Sequence, residues 1–275
     1  MASFGRKNKQ AYFPFSSLRI LPYQVLSGAF NMALDFYLAQ SIRPDHAPVL
    51  RFYGWRPYCL SLGYHQDASL VDLKSLAAQG YEAVRRPTGG SAIFHSHELT
   101  YALIVPGTKI NHHAIYRTFH SLLAHALNRL GFPVTLNEQA DDENYLKKGK
   151  ERFACFNRPA TAEIQFNGKK VVGSAQKLYR SALLQHGSIL IGPEQKKIIR
   201  FLNTNDREKE IYLQKLERRS TALAEIRKIP VQPVQIAEAL LESFEKFLGL
   251  NLYYEPLSNS QLTEAQKFVD QFKIQ

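Results

Sequence analysis

The chain has two cysteines, and one of them stands close in sequence to groups that could activate it. Cys155 opens the run CFNRP, which leads through EIQFNG into KKVVGSA and so brings Lys169 and Lys170 up behind it. A thiol becomes a strong nucleophile when a nearby cation favours its thiolate. A desolvated lysine can also take up a proton. The competing reading of a lone cysteine is a small buried hydrophobe. Cys59, inside the apolar YCLSLGY, fits that second reading. Cys155, flanked by a charged stretch, Arg158 and Pro159, fits it less well. On the residues alone both remain open.

A second stretch with chemical potential is RRPTGGSAIFHSHELTY, residues 85–101. Gly89 and Gly90 let the backbone turn sharply or approach a ligand closely. Backbone N–H groups with a guanidinium could then hold an anionic or carbonyl-bearing ligand. The plainer alternative is a glycine turn with solvated arginines. The spacing of a phosphate-binding P-loop is absent. His95 and His97 alternate and would share a strand face, but no third ligand stands at a metal-like spacing, so no metal site is expected. His120 and His125 read as polar positions on a helix.

These residues need elements to hold them. Residues 27–42 read as a helix that Ser27 caps, with Phe30, Ala33, Leu34, Tyr37 and Leu38 on one face. Residues 49–55 and 58–64 read as strands separated by a turn at Arg56-Pro57. A helix over 69–80 ends at Gly80, and strands follow at 81–86 and 98–106. Residues 111–131 carry the clearest helical stripe, Ile115, Phe119, Leu122, Leu123, Ala126 and Leu130. A short strand near 132–136 precedes a charged, solvated loop at 141–150. Asn167-Gly168 is a two-residue hairpin turn between ATAEIQF and KKVVGSA, and 182–192 is a further strand. From about Pro193 the texture turns to helices and charge, with amphipathic segments at 231–249 and 260–272. This order predicts an α+β fold, with a main domain over 1–204 and a helical C-terminal extension over 205–275.

The net charge of +11 allows three partner classes: nucleic acid, an acidic membrane surface, or acidic proteins. The basic residues are dispersed and no nucleic-acid-binding signature occurs, which favours acidic protein partners. No apolar run is long enough to span a bilayer. MASFGRKNKQAYFPF has basic residues without an apolar h-region behind them, so neither a signal peptide nor an anchor is expected. With only two cysteines, these features lead to the expectation of a cytoplasmic protein in a reducing compartment, without a membrane partner.

Taken together, RFYGWRPYCLSLGYHQ, RRPTGGSAIFHSHELTY and EIQFNGKKVVGSAQK…LLQHGSIL resemble the lipoate–protein ligase A superfamily, in the same order, over roughly residues 20 to 200. Asn31-Met32-Ala33 also looks like the family. The resemblance implies the fold of biotin/lipoate–protein ligase catalytic domains, a mixed sheet packed by helices around an acyl tunnel. CFNRP before the hairpin resembles the cysteine-dependent octanoyltransferases of the Gram-positive type rather than the ATP-dependent ligases. Ser91 departs from both, standing where ligases commonly have glycine and many of the transferases arginine. The resemblance implies that Cys155 takes octanoate from acyl carrier protein as a thioester. The acyl group would pass to a lysine of an apo lipoyl domain or of the glycine cleavage H protein. Lys170 would polarise the carbonyl and help deprotonate that lysine. Arg86, Thr88, Gly89, Gly90 and His95 would line the acyl pocket. Gly173, Ser174 and Ala175 would form the opposite wall, with His186 and Gly187 in the same site. A thioester is already activated, so no cofactor is implied, and a monomer is expected. Alternatives are an ATP-dependent lipoate–protein ligase, an amidotransferase between lipoyl proteins, and a non-catalytic binder on the same fold.

Overall fold

The computed structural model describes residues 11–107, 109–137 and 162–274. Cys155 and the 141–150 loop lie outside the described residues. A six-stranded mixed sheet forms the centre. Its strands are β1 (Ser17–Leu26), β2 (Val49–Trp55), β6 (Glu98–Pro106), β10 (Val172–Leu178), β11 (Ala182–Leu190) and β12 (Asn251–Tyr254), in the order β10-β11-β6-β2-β1-β12. β1 runs parallel to β2 and β12, and the remaining pairs are antiparallel. A second sheet joins β3 (Cys59–Leu62), β4 (Glu82–Arg85) and β5 (Ile93–His95). A third joins β7 (Thr135–Asn137), β8 (Glu163–Phe166) and β9 (Lys169–Lys170). The architecture is α+β, a mixed sheet packed by helices.

β2, β6 and β11 are buried at every residue. Both faces are covered, which is why they read as nearly continuous apolar runs rather than as alternating ones. On one face Leu99, Tyr101, Leu103 and Val105 of β6 pack in a core with α3 (His112–Arg129) and α6 (Pro233–Leu248). On the other, Ala102 and Ile104 join Tyr53, Trp55 and α1 (Gly28–Ser41). Each buried Leu, Ile or Phe contributes about 1.5–3 kcal/mol relative to exposure, so the face covered by α3 is the main source of cohesion.

Helix ends follow local chemistry. Ser27 caps α1 through the Phe30 N–H, and the Glu82 carboxylate accepts from Gly28 N at 2.6 Å. A carboxylate is favourable at that end of a helix. Asn111 caps α3 through Ala114. The predicted helix over 69–80 is shorter, α2 (Leu73–Ala78) preceded by a 3₁₀ turn, because Asp72 supplies a new cap at Ser75.

The hairpin turn at Asn167-Gly168 forms, with both residues at positive φ. Its second arm is split, however. β9 pairs with β8, whereas β10 leaves that sheet to pair with β11. Residues 205–274 are mostly helical and pack on the body. They comprise α4 (Asp206–Arg219), α5 (Leu223–Ile226), α6, β12 and α7 (Asn259–Gln266). β12 extends the central sheet beside β1, and α6 covers α3. After α7, Phe268 and Phe272 pack edge-on against Phe36 of α1, and Phe272 O accepts from Arg85 N at 2.8 Å. No helix among the described residues is long and apolar enough to cross a membrane.

Candidate active site

A cavity of about 410 Å³, counting its open mouth, lies between α1, β2, β5 and β6 on one side and β10 and β11 on the other. The RPTGGS loop closes part of it. Apolar groups from Met32, Tyr53, Trp55 and Ile93 supply much of its lining, and Arg86, His95, His186 and Ser188 add polar atoms. Of the sequence-predicted pocket residues, Arg86, Gly90, His95, Gly173, Ser174, Ala175, His186 and Gly187 line it. Thr88 and Gly89 stand directly behind, bonded to Arg86.

The loop is held by backbone fit. Gly63 faces the carbonyl of Gly90 so closely that a Cβ on Gly63 would stand 1.9 Å from that oxygen. Gly90 has φ +94, a left-handed conformation that side chains resist. Arg86 is buried, against the solvated reading of the loop's arginines. It donates to the carbonyls of Gly89 and Ser91 at 2.8 Å each and so stitches the loop together.

From Arg86 two hydrogen-bonded chains run into the protein. In the first, Arg86 Nε donates to Thr88 Oγ1 at 3.2 Å, and Thr88 Oγ1 stands 2.6 Å from His186 Nε2. His186 Nδ1 stands 3.1 Å from Asp35 Oδ2. Burial pushes the His186 pKa down despite the pull of Asp35, so the ring is neutral at pH 7. The carboxylate can only accept, which assigns the ring proton to Nδ1 and makes Nε2 the acceptor from Thr88. Asp35 also takes Arg51 at 2.8 Å and Tyr53 Oη at 2.9 Å. Arg51 in turn donates to Asn31 Oδ1 at 2.8 Å.

In the second chain, Arg86 Nη1 donates to the Ser61 carbonyl at 3.2 Å, and Ser61 Oγ is 2.8 Å from His95 Nε2. His95 Nδ1 meets Glu98 Oε1 at 2.7 Å. Thr100 and Ser188 donate to the same oxygen at 2.5 and 2.8 Å. Burial works to raise the Glu98 pKa. The His95 charge and the hydrogen bonds from His95, Thr100 and Ser188 outweigh it and hold the carboxyl below its ordinary value. His97 lies in the turn after β5 and is exposed, so it does not share the strand face of His95. The two residues between β5 and β6 are a bend, which breaks the alternation that the sequence suggested.

Lys170 takes a different position. It is buried, its ammonium pairs with the Glu163 carboxylate, and it is not among the cavity-lining residues. Its charge acts on His120, the helix residue read from sequence as merely polar. His120 is in fact buried, with Nε2 2.9 Å from Ser174 Oγ, and Tyr101 Oη is 2.7 Å from the same hydroxyl. Burial and the Lys170 charge drive the His120 pKa from 6.5 to about 3. Ser174 of β10, which also lines the cavity, joins this group to it. At Gly187 a Cβ would stand 2.4 Å from Ser174 Oγ and 2.7 Å from the Gly173 carbonyl, so the two strands close up only because 187 is glycine. Cys59 is fully buried and its thiol is pushed upward by burial, as suits an inert core residue.

Sequence reading missed Asp35, Arg51, Tyr53, Trp55, Glu98, Thr100, Ser188 and the role of His120. The available signal was a charge inside an apolar element, such as Arg51 in VLRFYGW or Asp35 in MALDFYLA. Lone charges of that kind are buried only with partners.

Comparison with known proteins agrees with this geometry. The family described as lipoyl protein ligase A/B catalytic domain matches residues 27–245. Octanoyltransferase LipM of Kyrpidia tusciae is 35% identical over 254 residues, covering 90% of this chain and 92% of its own. Octanoyltransferase LipM of Symbiobacterium thermophilum is 36% identical over 251 residues, covering 88% and 90%. Among solved structures, lipoate-protein ligase A bound with ATP superposes with a TM-score of 0.73 at 20% identity, covering 93% of this chain and 95% of that one. A bipartite lipoate protein ligase of Thermoplasma acidophilum gives 0.75 at 18%, covering 94% and 93%. At such identities the structural likeness speaks for the fold alone. With the matched domain spanning most of the chain, this protein belongs to the lipoyl protein ligase A/B catalytic domain family.

Proposed function

We propose that this chain is an acyltransferase that moves an octanoyl group from acyl carrier protein to a lysine of apo lipoyl domains or of the glycine cleavage H protein. The observation that carries the reading is the 35–36% identity to octanoyltransferases over about nine-tenths of the chain. A largely apolar cavity with a few fixed polar groups suits a medium-length acyl chain.

In this reading the Cys155 thiolate attacks the octanoyl thioester carbonyl. The carrier thiol leaves with a proton, and octanoate remains on the enzyme as a thioester. The uncharged amine of the acceptor lysine then attacks the same carbonyl. The Cys155–acyl bond breaks, an amide forms, and the amine's surplus proton is released to a base. As its ammonium, Lys170 supplies positive charge for the carbonyl oxygen and gives a proton to the leaving carrier thiolate. The neutral amine that results takes up the surplus proton in the second step. His186 holds its proton toward Asp35 and accepts from Thr88, so it serves as a fixed wall rather than a base. The +11 charge favours encounter with acidic carrier and lipoyl proteins.

The test is transfer from octanoyl acyl carrier protein to an apo lipoyl domain without ATP. Transfer that occurs only with ATP and free acid would make the chain a ligase.

A further inference from the structure

Glu98 makes no contact with the cavity, yet two of the cavity's aromatic walls depend on it. Its Oε1 takes His95 Nδ1, Thr100 Oγ1 and Ser188 Oγ at 2.7, 2.5 and 2.8 Å. Thr100 Oγ1 receives the indole N–H of Trp55 at 2.7 Å. The rings of Trp55 and His95 stack with centroids 3.8 Å apart and planes 9° from parallel. Both rings, with Thr100 and Ser188, line the cavity. The carboxylate and its donors are all buried.

We propose that Glu98 is a positioning residue of this site: it locks His95 directly, and Trp55 through Thr100, into one stacked wall that sets where the acyl carbonyl lies. This rests on the acyl-transfer reading above. Thr100 has one proton, which it spends on Glu98, so its oxygen is free to accept from Trp55. Replacing the carboxylate by an amide disturbs this order. All three donors meet the one oxygen Oε1. An amide oxygen there carries less negative charge and holds them more weakly, and the opposite amide orientation puts a nitrogen there that cannot accept from any of them. A misplacement of the wall by about 1 Å would cost on the order of a hundredfold in rate.

Trp55 is the only tryptophan in the chain, so emission reports on this stack alone. The experiment compares wild type, Glu98→Gln, His95→Gln and the double variant. Readouts are tryptophan emission of the free proteins, emission on adding octanoyl-pantetheine, and kcat and KM for octanoyl transfer. Ser188→Ala loosens the same carboxylate more gently, should Glu98→Gln fail to fold.

The proposal predicts altered Trp55 emission in free Glu98→Gln and a roughly tenfold to hundredfold fall in kcat. It also predicts that the double variant loses less than the product of the two single losses, because Glu98 acts in part through His95. Unchanged emission and kcat would overturn it, as would losses that multiply in full in the double variant. If wild type neither responds to octanoyl-pantetheine nor transfers, the acyl-transfer reading fails, while the emission of the free proteins still tests the lock.

Discussion

The two sides of β10 hold charge in different ways. On the cavity side, Arg86, Thr88, His186 and Asp35 form one continuous hydrogen-bonded chain, and Ser61, His95 and Glu98 form a second. Each side chain there has a hydrogen-bond partner, although Glu98 engages through Oε1 and its Oε2 has none among the described residues. On the other side, Lys170 pairs with Glu163 beside a neutral His120 and outside the cavity lining. The first arrangement shapes a wall. The second buries an ion pair outside the cavity lining.

The largest effect should come from breaking the cavity side. Asp35→Ala removes the shared acceptor of Arg51, Tyr53 and His186 and leaves a buried guanidinium without its carboxylate. A loss of about 3–5 kcal/mol is expected, read as a lower urea midpoint. A change below about 1 kcal/mol would mean that the Asp35 cluster does not hold the fold.

Breaking the other side should cost activity and also stability, since Lys170→Ala leaves the buried Glu163 carboxylate without its ammonium. Lys170→Ala is expected to slow transfer by about a hundredfold or more. Lys170→Arg keeps the charge but not the compact ammonium, and should recover only part of the rate. A Lys170→Ala variant with wild-type kcat would remove Lys170 from the mechanism.

The pH dependence sharpens the contrast. His120 falls from 6.5 in the unfolded chain to about 3 in the folded protein. Between those values the unfolded chain binds a proton that the folded protein does not. Stability therefore declines as pH drops below 6.5, by up to about 1.4 kcal/mol per unit. His186, also lowered, acts in the same direction. Glu98, lowered from the ordinary carboxylate value, contributes stability that is present above that value and lost only as pH falls through its own. Urea unfolding at pH 7 and 5 should show the decline, and His120→Gln should flatten it. Equal stability at both pH values would contradict a buried neutral His120.

The smallest effect belongs to the exposed Lys267–Glu264 pair, 2.6 Å apart on a solvent face. Lys267→Ala should change the urea midpoint within error, since such pairs contribute little.

These contrasts also explain what the sequence could and could not reveal. The α1 cap at Ser27, the α3 stripe and the Asn167-Gly168 turn are local, and local spacing predicts them. The pocket list Arg86 to Gly187 followed from motif resemblance, and the cavity draws eight of its members together. Asp35 and His186 meet across 151 positions of chain, which no periodicity encodes. The splitting of KKVVGSA between two sheets is likewise a long-range decision, made when β10 finds β11. His120 was misread because a histidine beside an apolar stripe looks solvated until Ser174 and Tyr101 close over it.

The most direct test of the account is intact mass after mixing the protein with octanoyl acyl carrier protein and an apo lipoyl domain, without ATP, for wild type and Cys155→Ser. The account predicts a hydroxylamine-labile octanoyl adduct on the wild-type enzyme, then a stable octanoyl amide on the domain, and neither with the serine variant. Transfer that survives Cys155→Ser, or that needs ATP and free acid, would contradict it.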